Sequence, residues 1–141
     1  MIIQMQLNDT IREICLPSEV LNIYPKHCEW VEKCISESRT CFLAQENQTP
    51  IGCAIVKISR KNVGLLKLCF LYMLPDYRHK GYARSLIAAI EEYAIINGLS
   101  GIYTTVNPKT DSVERFISSC GYKKISRTKY GDIVFQRIFY N

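Results

Sequence analysis

The sequence predicts an α/β (α+β) protein with a single mixed, mostly antiparallel sheet of six or seven strands flanked by helices. The strongest observation is a nearly continuous apolar segment, residues 65–74, followed by a helix with one apolar face. Two pairs of β-prone segments supply the antiparallel part of the sheet: residues 40–45 with 51–59, and residues 122–129 with 133–140.

Length and composition indicate one globular domain spanning residues 1–141, with 48% hydrophobic and 22% charged residues. No segment approaches the ~20 apolar residues of a membrane span, and no signal peptide is apparent, so we expect a cytoplasmic protein without a membrane partner. The seven cysteines include no CxxC pair, and their odd number favours free thiols in a reducing compartment. The spacing of His27, Cys28 and Cys34 fits no common zinc pattern, so we expect helix packing there and no metal.

The first third of the chain predicts a strand over residues 1–7 and a short helix capped by Asp9 or Thr10 that ends at Cys15. The chain then restarts at Pro17 and Ser18. A second helix over residues 27–37 has an apolar side formed by Trp30, Val31, Cys34 and Ile35. Strands over residues 40–45 and 51–59 follow, joined by a turn over residues 46–50.

The central segment carries Lys67 as its only charge, which favours a strand buried on both faces. The helix beyond it ends at Gly98, and its apolar residues recur at the spacing of one helical face: Ala83, Leu86, Ile87, Ile90 and Ala94. A β-branched strand over residues 101–106 is expected to lie parallel to the central strand. A helix from Asp111 or Ser112 to Ser119 precedes the final hairpin, which turns at residues 130–132.

The turn over residues 77–83 has the features of an anion site. A strand that leads into a helix N-terminus leaves backbone amides unpaired, with the positive end of the helix dipole behind them. Gly81 and Ala83 allow a phosphate to approach the backbone, and Arg78, Lys80 and Arg84 add positive charge. An ordinary strand-to-helix turn with solvated basic residues explains the same pattern when the glycine is considered alone.

This stretch resembles motif A of the GCN5-related N-acetyltransferases, in which Gln or Arg is followed by two residues, Gly, one residue, and Gly or Ala. Here the motif is Arg78-x-x-Gly81-x-Ala83, preceded by the strand end and the Pro-Asp-Tyr turn usual in that family. The resemblance is clear over residues 40–141, whereas residues 1–39 resemble the family only in the type of their elements. It implies acetyl-CoA as co-substrate, a coenzyme-binding core over residues 65–97, and variable acceptor-side helices over residues 1–39.

The resemblance also implies roles for individual residues. Two strands would splay apart to admit the pantetheine arm, with backbone contacts from the central strand, and the turn would hold the pyrophosphate. The candidate coenzyme-binding residues are Leu71, Tyr72, Met73, Arg78, His79, Lys80, Gly81, Tyr82, Ala83, Arg84 and Asn107. Trp30 and Tyr24 are candidate acceptor contacts, although core or lid packing is the more frequent role of such residues.

The catalytic residues of the family do not transfer simply to this chain. The tyrosine that many members use to protonate the leaving thiolate corresponds to Ile117, and the glutamate base of some members corresponds to Thr105. The asparagine of motif B corresponds to Thr110, with Asn107 nearby as a substitute. We take Tyr130 as the candidate proton donor, ahead of Ser118, Tyr72 and Tyr103, while water-mediated proton transfer would need no dedicated residue.

Three functions are compatible with these features. The first is an acetyl-CoA-dependent N-acetyltransferase acting on a primary amine of a small molecule or protein, as a monomer or homodimer. The second is a toxin-like enzyme acting on aminoacyl-tRNA, suggested by five basic residues against one acidic residue in residues 121–141. The third is a non-catalytic acyl-CoA-binding module. The basic residues also suit an edge strand that is kept soluble by lysine.

Overall fold

The computed structural model describes residues 1–139, which contain seven strands and four α-helices. The strands are β1 (Ile2–Gln6), β2 (Thr40–Glu46), β3 (Thr49–Ile58), β4 (Leu65–Met73), β5 (Gly101–Val106), β6 (Lys123–Arg127) and β7 (Ile133–Ile138). The helices are α1 (Ser18–Ile23), α2 (His27–Ser36), α3 (Tyr82–Ile96) and α4 (Asp111–Ser119). Position 140, the predicted end of the last strand, and position 141 lie outside the described residues.

The seven strands form one mixed sheet in the order β1-β2-β3-β4-β5-β7-β6. β1 with β2, β2 with β3, β5 with β7 and β6 with β7 pair antiparallel. The β4–β5 pairing is parallel, and its register runs from Leu65–Gly101 to Leu68–Thr104. The predicted fold class, a mixed and mostly antiparallel sheet flanked by helices, is confirmed. Within residues 1–139, no helix has the length and apolar character needed to cross a membrane.

Two local predictions were wrong. The short helix expected to end at Cys15 is instead two 3-10 turns, Asp9–Ile11 and Glu13–Cys15. The turn predicted over residues 46–50 is shorter, because β3 begins at Thr49 and only Asn47 and Gln48 leave the strands. Both residues have positive φ, 51° and 67°, which is the conformation of a two-residue type I′ hairpin.

Two compact units can be distinguished in the chain. The first contains Met1–Val56 and Phe70–Leu86. Its apolar core is a cluster from the N-terminal turns, α2, β2, β3 and β4: Leu7, Ile11, Ile14, Cys15, Val31, Cys34, Cys41, Leu43, Cys53, Ile55 and Tyr72. The prediction that α2 buries one apolar side is confirmed, since Val31 and Cys34 are buried while Glu29 and Lys33 are exposed.

The second unit contains Lys57–Cys69 and the chain from Ile87 onward. Its buried side chains include Leu66 and Leu68 of β4, Ile90 of α3 and Ile102 of β5. Glu91 of α3 accepts hydrogen bonds from the Tyr122 hydroxyl (3.0 Å) and from Arg137 Nη1 (2.9 Å). This network links α3 to β7 and to the segment between α4 and β6.

Candidate active site

The turn between β4 and α3 begins with a 3-10 turn at Pro75–Tyr77 and continues with alternating backbone conformation. φ is −77° at Arg78, +61° at His79 and +90° at Gly81. Positive φ is uncommon for a residue other than glycine, and Arg78 before His79 is extended, with ψ of 158°. The backbone of this turn is therefore irregular where the anion site is predicted, and the site itself stays a prediction.

The N-terminus of α3 follows directly from this turn. Its first helical hydrogen bond joins the amide of Ser85 to the carbonyl of Gly81, at 3.0 Å. The amides before Ser85 precede the helical ladder, and the positive end of the helix dipole lies behind them. Gly81 is exposed and a Cβ there would meet no atom within 4 Å, so its positive φ is the local requirement for glycine.

Basic and aromatic side chains surround the turn. His79, Lys80 and Arg84 are exposed, and Lys80 Nζ lies 5.6 Å from the centroid of the Tyr77 ring. The Tyr82 hydroxyl donates a hydrogen bond to Glu46 at the end of β2, and this contact raises the pKa of Tyr82. Tyr82 thus ties the first residue of α3 to the β2–β3 hairpin.

The C-terminal end of β4 presents backbone groups at two edges. The Leu74 amide donates to the Ile51 carbonyl of β3 at 2.9 Å. Because backbone groups of successive strand residues point to opposite edges, the amides of Met73 and Leu71 point to the edge away from β3, and that of Tyr72 points toward it. The β4 edge away from β3 is therefore the one on which Met73 and Leu71 offer hydrogen bonds.

Arg78 is anchored at both ends of its guanidinium group. Its Nε donates to the Met73 carbonyl at 2.9 Å, and its Nη2 donates to Glu19 Oε1 at 2.6 Å. The group also lies over the Tyr72 ring, 5.4 Å from the centroid. The sequence suggested a phosphate-holding charge, whereas the contacts of Arg78 are with its own turn, β4 and α1.

Glu19 also accepts a hydrogen bond from the Tyr72 hydroxyl at 2.5 Å. This bond is the largest cause that lowers the pKa of Glu19, and Arg78 lowers it further. Burial and the same bond raise the pKa of Tyr72 to about 12. Sequence reasoning missed Glu19 because its partners lie 53 and 59 residues away, and no local pattern indicates such a contact.

An apolar groove of about 550 Å³ lies at the junction of α1 and α2. It is lined by Ile23, Tyr24, Pro25, Lys26, His27 and Trp30. The His27 ring is 4.8 Å from that of Phe70 on β4, and its Nε2 donates to the Cys15 carbonyl at 2.7 Å. Trp30 and Tyr24, the two predicted acceptor contacts, are thus both groove residues.

The remaining candidates belong to the second unit. The side-chain oxygen of Asn107 accepts from the Lys109 amide at 2.9 Å, which stabilises the turn before α4. Ile117 is buried, and the Tyr103 hydroxyl is bonded to Ser59 Oγ at 3.1 Å. Within residues 1–139, no group of three or more His, Cys, Asp and Glu residues is arranged to hold a metal ion.

Tyr130 is in the β6–β7 turn and is 81% exposed. Lys129 Nζ lies 5.1 Å from the centroid of the Tyr130 ring, and the Tyr130 amide donates to Thr128 Oγ1. Each of the five residues of β6, which is an edge strand, is exposed, including Lys123 and Lys124. Lysines on an edge strand prevent its pairing with other strands, so the basic C-terminal segment has a structural explanation.

A family model matches most of the chain. Residues 7–122 match the family model described as the acetyltransferase (GNAT) family, so the match includes most of the N-terminal segment that resembled the family only in kind. A comparison with curated proteins found no match.

Solved structures show the same fold at low sequence identity. A GNAT-family protein from Desulfovibrio desulfuricans has a TM-score of 0.82 at 13% identity, over 98% of this chain and 99% of that one. The PaiA N-acetyltransferase from Thermoplasma acidophilum, in complex with coenzyme A, has a TM-score of 0.75 at 17% identity, over 99% of each chain. A Bacillus anthracis protein assigned as a streptothricin acetyltransferase, in complex with acetyl-CoA, has a TM-score of 0.66 at 18% identity, over 72% of this chain and 62% of that one. Because the family model spans most of the sequence, this chain belongs to the GNAT family of acetyltransferases.

Proposed function

We propose that the chain forms a single N-acetyltransferase domain that transfers an acetyl group from acetyl-CoA to a primary amine. The observation that carries this proposal is the β4–turn–α3 segment. There, positive φ at His79 and Gly81 shapes the turn, and the helical ladder starts only at Ser85, so the amides of the first helical turn lack helical partners. A pyrophosphate is the anionic group of coenzyme A that suits such a site.

The residues present fit the coenzyme. The turn and first helical residues, His79 to Arg84, would hold the pyrophosphate through their amides and through Lys80 and Arg84. Leu71 and Met73 would hydrogen-bond the pantetheine arm from the β4 edge that faces away from β3. The backbone contact expected for Tyr72 is not part of this proposal, because the Tyr72 amide points toward β3 and its hydroxyl is bonded to Glu19. Asn107 would contribute the part of its side-chain amide that does not bind the Lys109 amide.

Acetyl-CoA supplies the activated thioester when bound. The amine nitrogen attacks the thioester carbonyl carbon, so that a C–N bond forms and the C–S bond breaks. The Met73 amide would donate to the carbonyl oxygen as negative charge develops on it. The amine loses one proton to water, and the departing thiolate gains one.

For protonation of the thiolate we retain Tyr130. The hydroxyls of Tyr72, Tyr82, Tyr103 and Tyr122 are each bonded to another side chain. The Tyr130 hydroxyl is exposed, and the contacts recorded for residues 1–139 give it no partner. A hydroxyl that is not bonded to another acceptor is free to donate its proton to the thiolate. A solvent water molecule could serve as the proton donor instead of Tyr130.

The acceptor would bind at the groove between α1 and α2. Its aromatic lining, with Tyr24, His27 and Trp30, suits an amine with an apolar body, and Lys26 is the charged residue of the lining. We therefore favour a small-molecule amine over aminoacyl-tRNA, because the basic residues of β6 are explained by its edge position.

The test is a calorimetric titration of the protein with acetyl-CoA and with coenzyme A, followed by a panel of small amines read through release of free thiol. Binding and amine-dependent thiol release support the proposal. Binding without release for any amine favours an acyl-CoA-binding module, and release only with aminoacyl-tRNA favours the toxin-like enzyme. If neither ligand binds, the proposed coenzyme site is wrong.

A further inference from the structure

Glu19 is the residue on α1 that connects the N-terminal helices to the proposed coenzyme site. Its Oε1 atom accepts hydrogen bonds from both the Tyr72 hydroxyl and Arg78 Nη2. The side chains of Glu19 and Arg78 are 48% and 39% exposed, so this pair is partly accessible to solvent. None of the roles implied by the family resemblance includes Glu19.

The other end of the Arg78 guanidinium reaches the strand from which its own turn departs. Its Nε donates to the carbonyl of Met73, five residues earlier. Arg78 is also the residue immediately before His79, where φ becomes positive. The guanidinium is therefore held between the end of β4 and α1, and the backbone that it fixes is the backbone of the candidate phosphate site.

We propose that Glu19 is a positioning residue for coenzyme binding: it holds Arg78, and through Arg78 it keeps the turn over residues 74–81 in the conformation that presents its amides. This inference rests on the proposed function. When a neutral amide replaces the carboxylate, the anchor of the guanidinium at α1 loses its charge and weakens, and the turn samples more conformations. Coenzyme binding must then order the turn, at a cost in affinity.

Charge and positioning predict opposite effects here, which makes the inference testable. The pyrophosphate is anionic, so removal of a nearby carboxylate strengthens its binding if only Coulomb interactions matter. Loss of positioning weakens it. The sign of the change in coenzyme A affinity on Glu19→Gln therefore distinguishes the two.

The experiment measures the Kd for coenzyme A by calorimetry in the full chain. We expect Glu19→Gln to weaken binding several-fold, less than the full value of a charge-assisted hydrogen bond, because the pair is partly exposed. The matched control is Glu29→Gln, an exposed glutamate on α2 with the same change in charge, for which we expect less than about a twofold change at physiological salt. In steady-state kinetics Glu19→Gln should raise the KM for acetyl-CoA and leave kcat unchanged.

A double-mutant cycle tests whether Glu19 acts through Arg78. Arg78→Gln breaks the same pair from the other side and is expected to weaken binding as well. In the Arg78→Gln background, Glu19→Gln should have little further effect, because the two residues act as one unit. Arg78→Gln also keeps the test available if thermal melts show that Glu19→Gln is unfolded.

The outcomes separate this inference from the proposed function. Unchanged or tighter binding of coenzyme A by folded Glu19→Gln, or a full Glu19→Gln effect in the Arg78→Gln background, would overturn the positioning role while the coenzyme site stands. Failure of the unmutated protein to bind coenzyme A would instead refute the proposed function.

Discussion

Arg78 Nε donates a 2.9 Å hydrogen bond to the carbonyl of Met73, the last residue of β4. The bond closes the turn that leads from the strand into α3, and it satisfies a carbonyl at the strand edge that faces away from β3. The amide of Met73 lies at the same edge. Because Arg78 already binds the Met73 carbonyl, the amide of Met73 remains there as a hydrogen-bond donor, while the carbonyl is occupied as an acceptor. This asymmetry suits a site that must stabilise negative charge on an incoming carbonyl oxygen.

The first prediction concerns the shape of the Arg78 side chain. Arg78→Lys keeps the charge, but an ammonium group cannot bond Met73 and Glu19 with two separate nitrogens. We expect a loss of about 1 kcal/mol or less in unfolding free energy, because the pair is partly exposed. We also expect a several-fold weaker Kd for coenzyme A. Arg115→Lys, an exposed substitution on α4, is the control; equal effects of the two variants on the Kd would contradict the prediction.

Gly81→Ala tests the conformation of the turn. A Cβ at position 81 would meet no atom within 4 Å, so the cost arises from φ of +90° and should be about 1 kcal/mol or more. Gly98→Ala, at the other end of α3, is a matched control because its φ is +73° and its Cβ also meets nothing within 4 Å. Urea unfolding should show similar losses for both variants. Only Gly81→Ala should weaken coenzyme A binding; a comparable weakening in Gly98→Ala would mean that the effect is one of general stability.

Tyr130→Phe tests the candidate proton donor. If the Tyr130 hydroxyl protonates the leaving thiolate, kcat should fall about a hundredfold. The melting temperature and the Kd for coenzyme A should not change, because the side chain is 81% exposed and its hydroxyl has no partner recorded within residues 1–139. An unchanged kcat, measured by thiol release with a turned-over amine, would transfer this role to water.

Buried Tyr122 provides a prediction about stability. Its hydroxyl donates to Glu91 Oε2 at 3.0 Å, and Glu91 also accepts a hydrogen bond from Arg137. Tyr122→Phe removes one bond but leaves Glu91 paired, so we expect a loss of about 1 kcal/mol in unfolding free energy. Urea denaturation measures it, with Tyr130→Phe as the exposed control. A larger loss in the control would exclude this account of the network.

Elements with a strong local pattern could be predicted from the sequence. β5 was predicted at residues 101–106 and forms there, because a glycine begins the β-branched run and Asn-Pro follows it. In α3 the expected residues Leu86, Ile87, Ile90 and Ala94 are buried, since a helix of 15 residues repeats its apolar face several times.

Short segments and long-range contacts could not be predicted in this way. The turns before Cys15 contain three residues each, too few to reveal a helical period. The β2–β3 hairpin turns at Asn47-Gln48, where a glutamine in place of the usual glycine concealed the two-residue turn. The pairing of Glu19 with Arg78 depends on the tertiary fold, so the sequence indicated the candidate anion-binding turn but not the residue of α1 that pairs with it.

The final prediction concerns pH. The folded-state pKa of Glu19 is lowered from 4.5, chiefly by the hydrogen bond from Tyr72 and then by Arg78. A carboxyl group with a lowered pKa adds stability above its unfolded value, and this contribution is lost as pH falls through the folded value. The difference in unfolding free energy between the unmutated protein and Glu19→Gln should therefore be constant near pH 7 and shrink below about 4.5.

Tyr72→Phe provides the matched test of this assignment. It removes the largest cause of the lowered pKa, so the remaining contribution of Glu19 should be lost at a higher pH than in the unmutated protein. The measurement is urea unfolding from about pH 7 to about pH 3, with Glu19→Gln compared in both backgrounds. A difference that does not change with pH in either background would show that Glu19 gains no stabilisation from its partners as a carboxylate, and the pair with Arg78 would then have no energetic role in the fold.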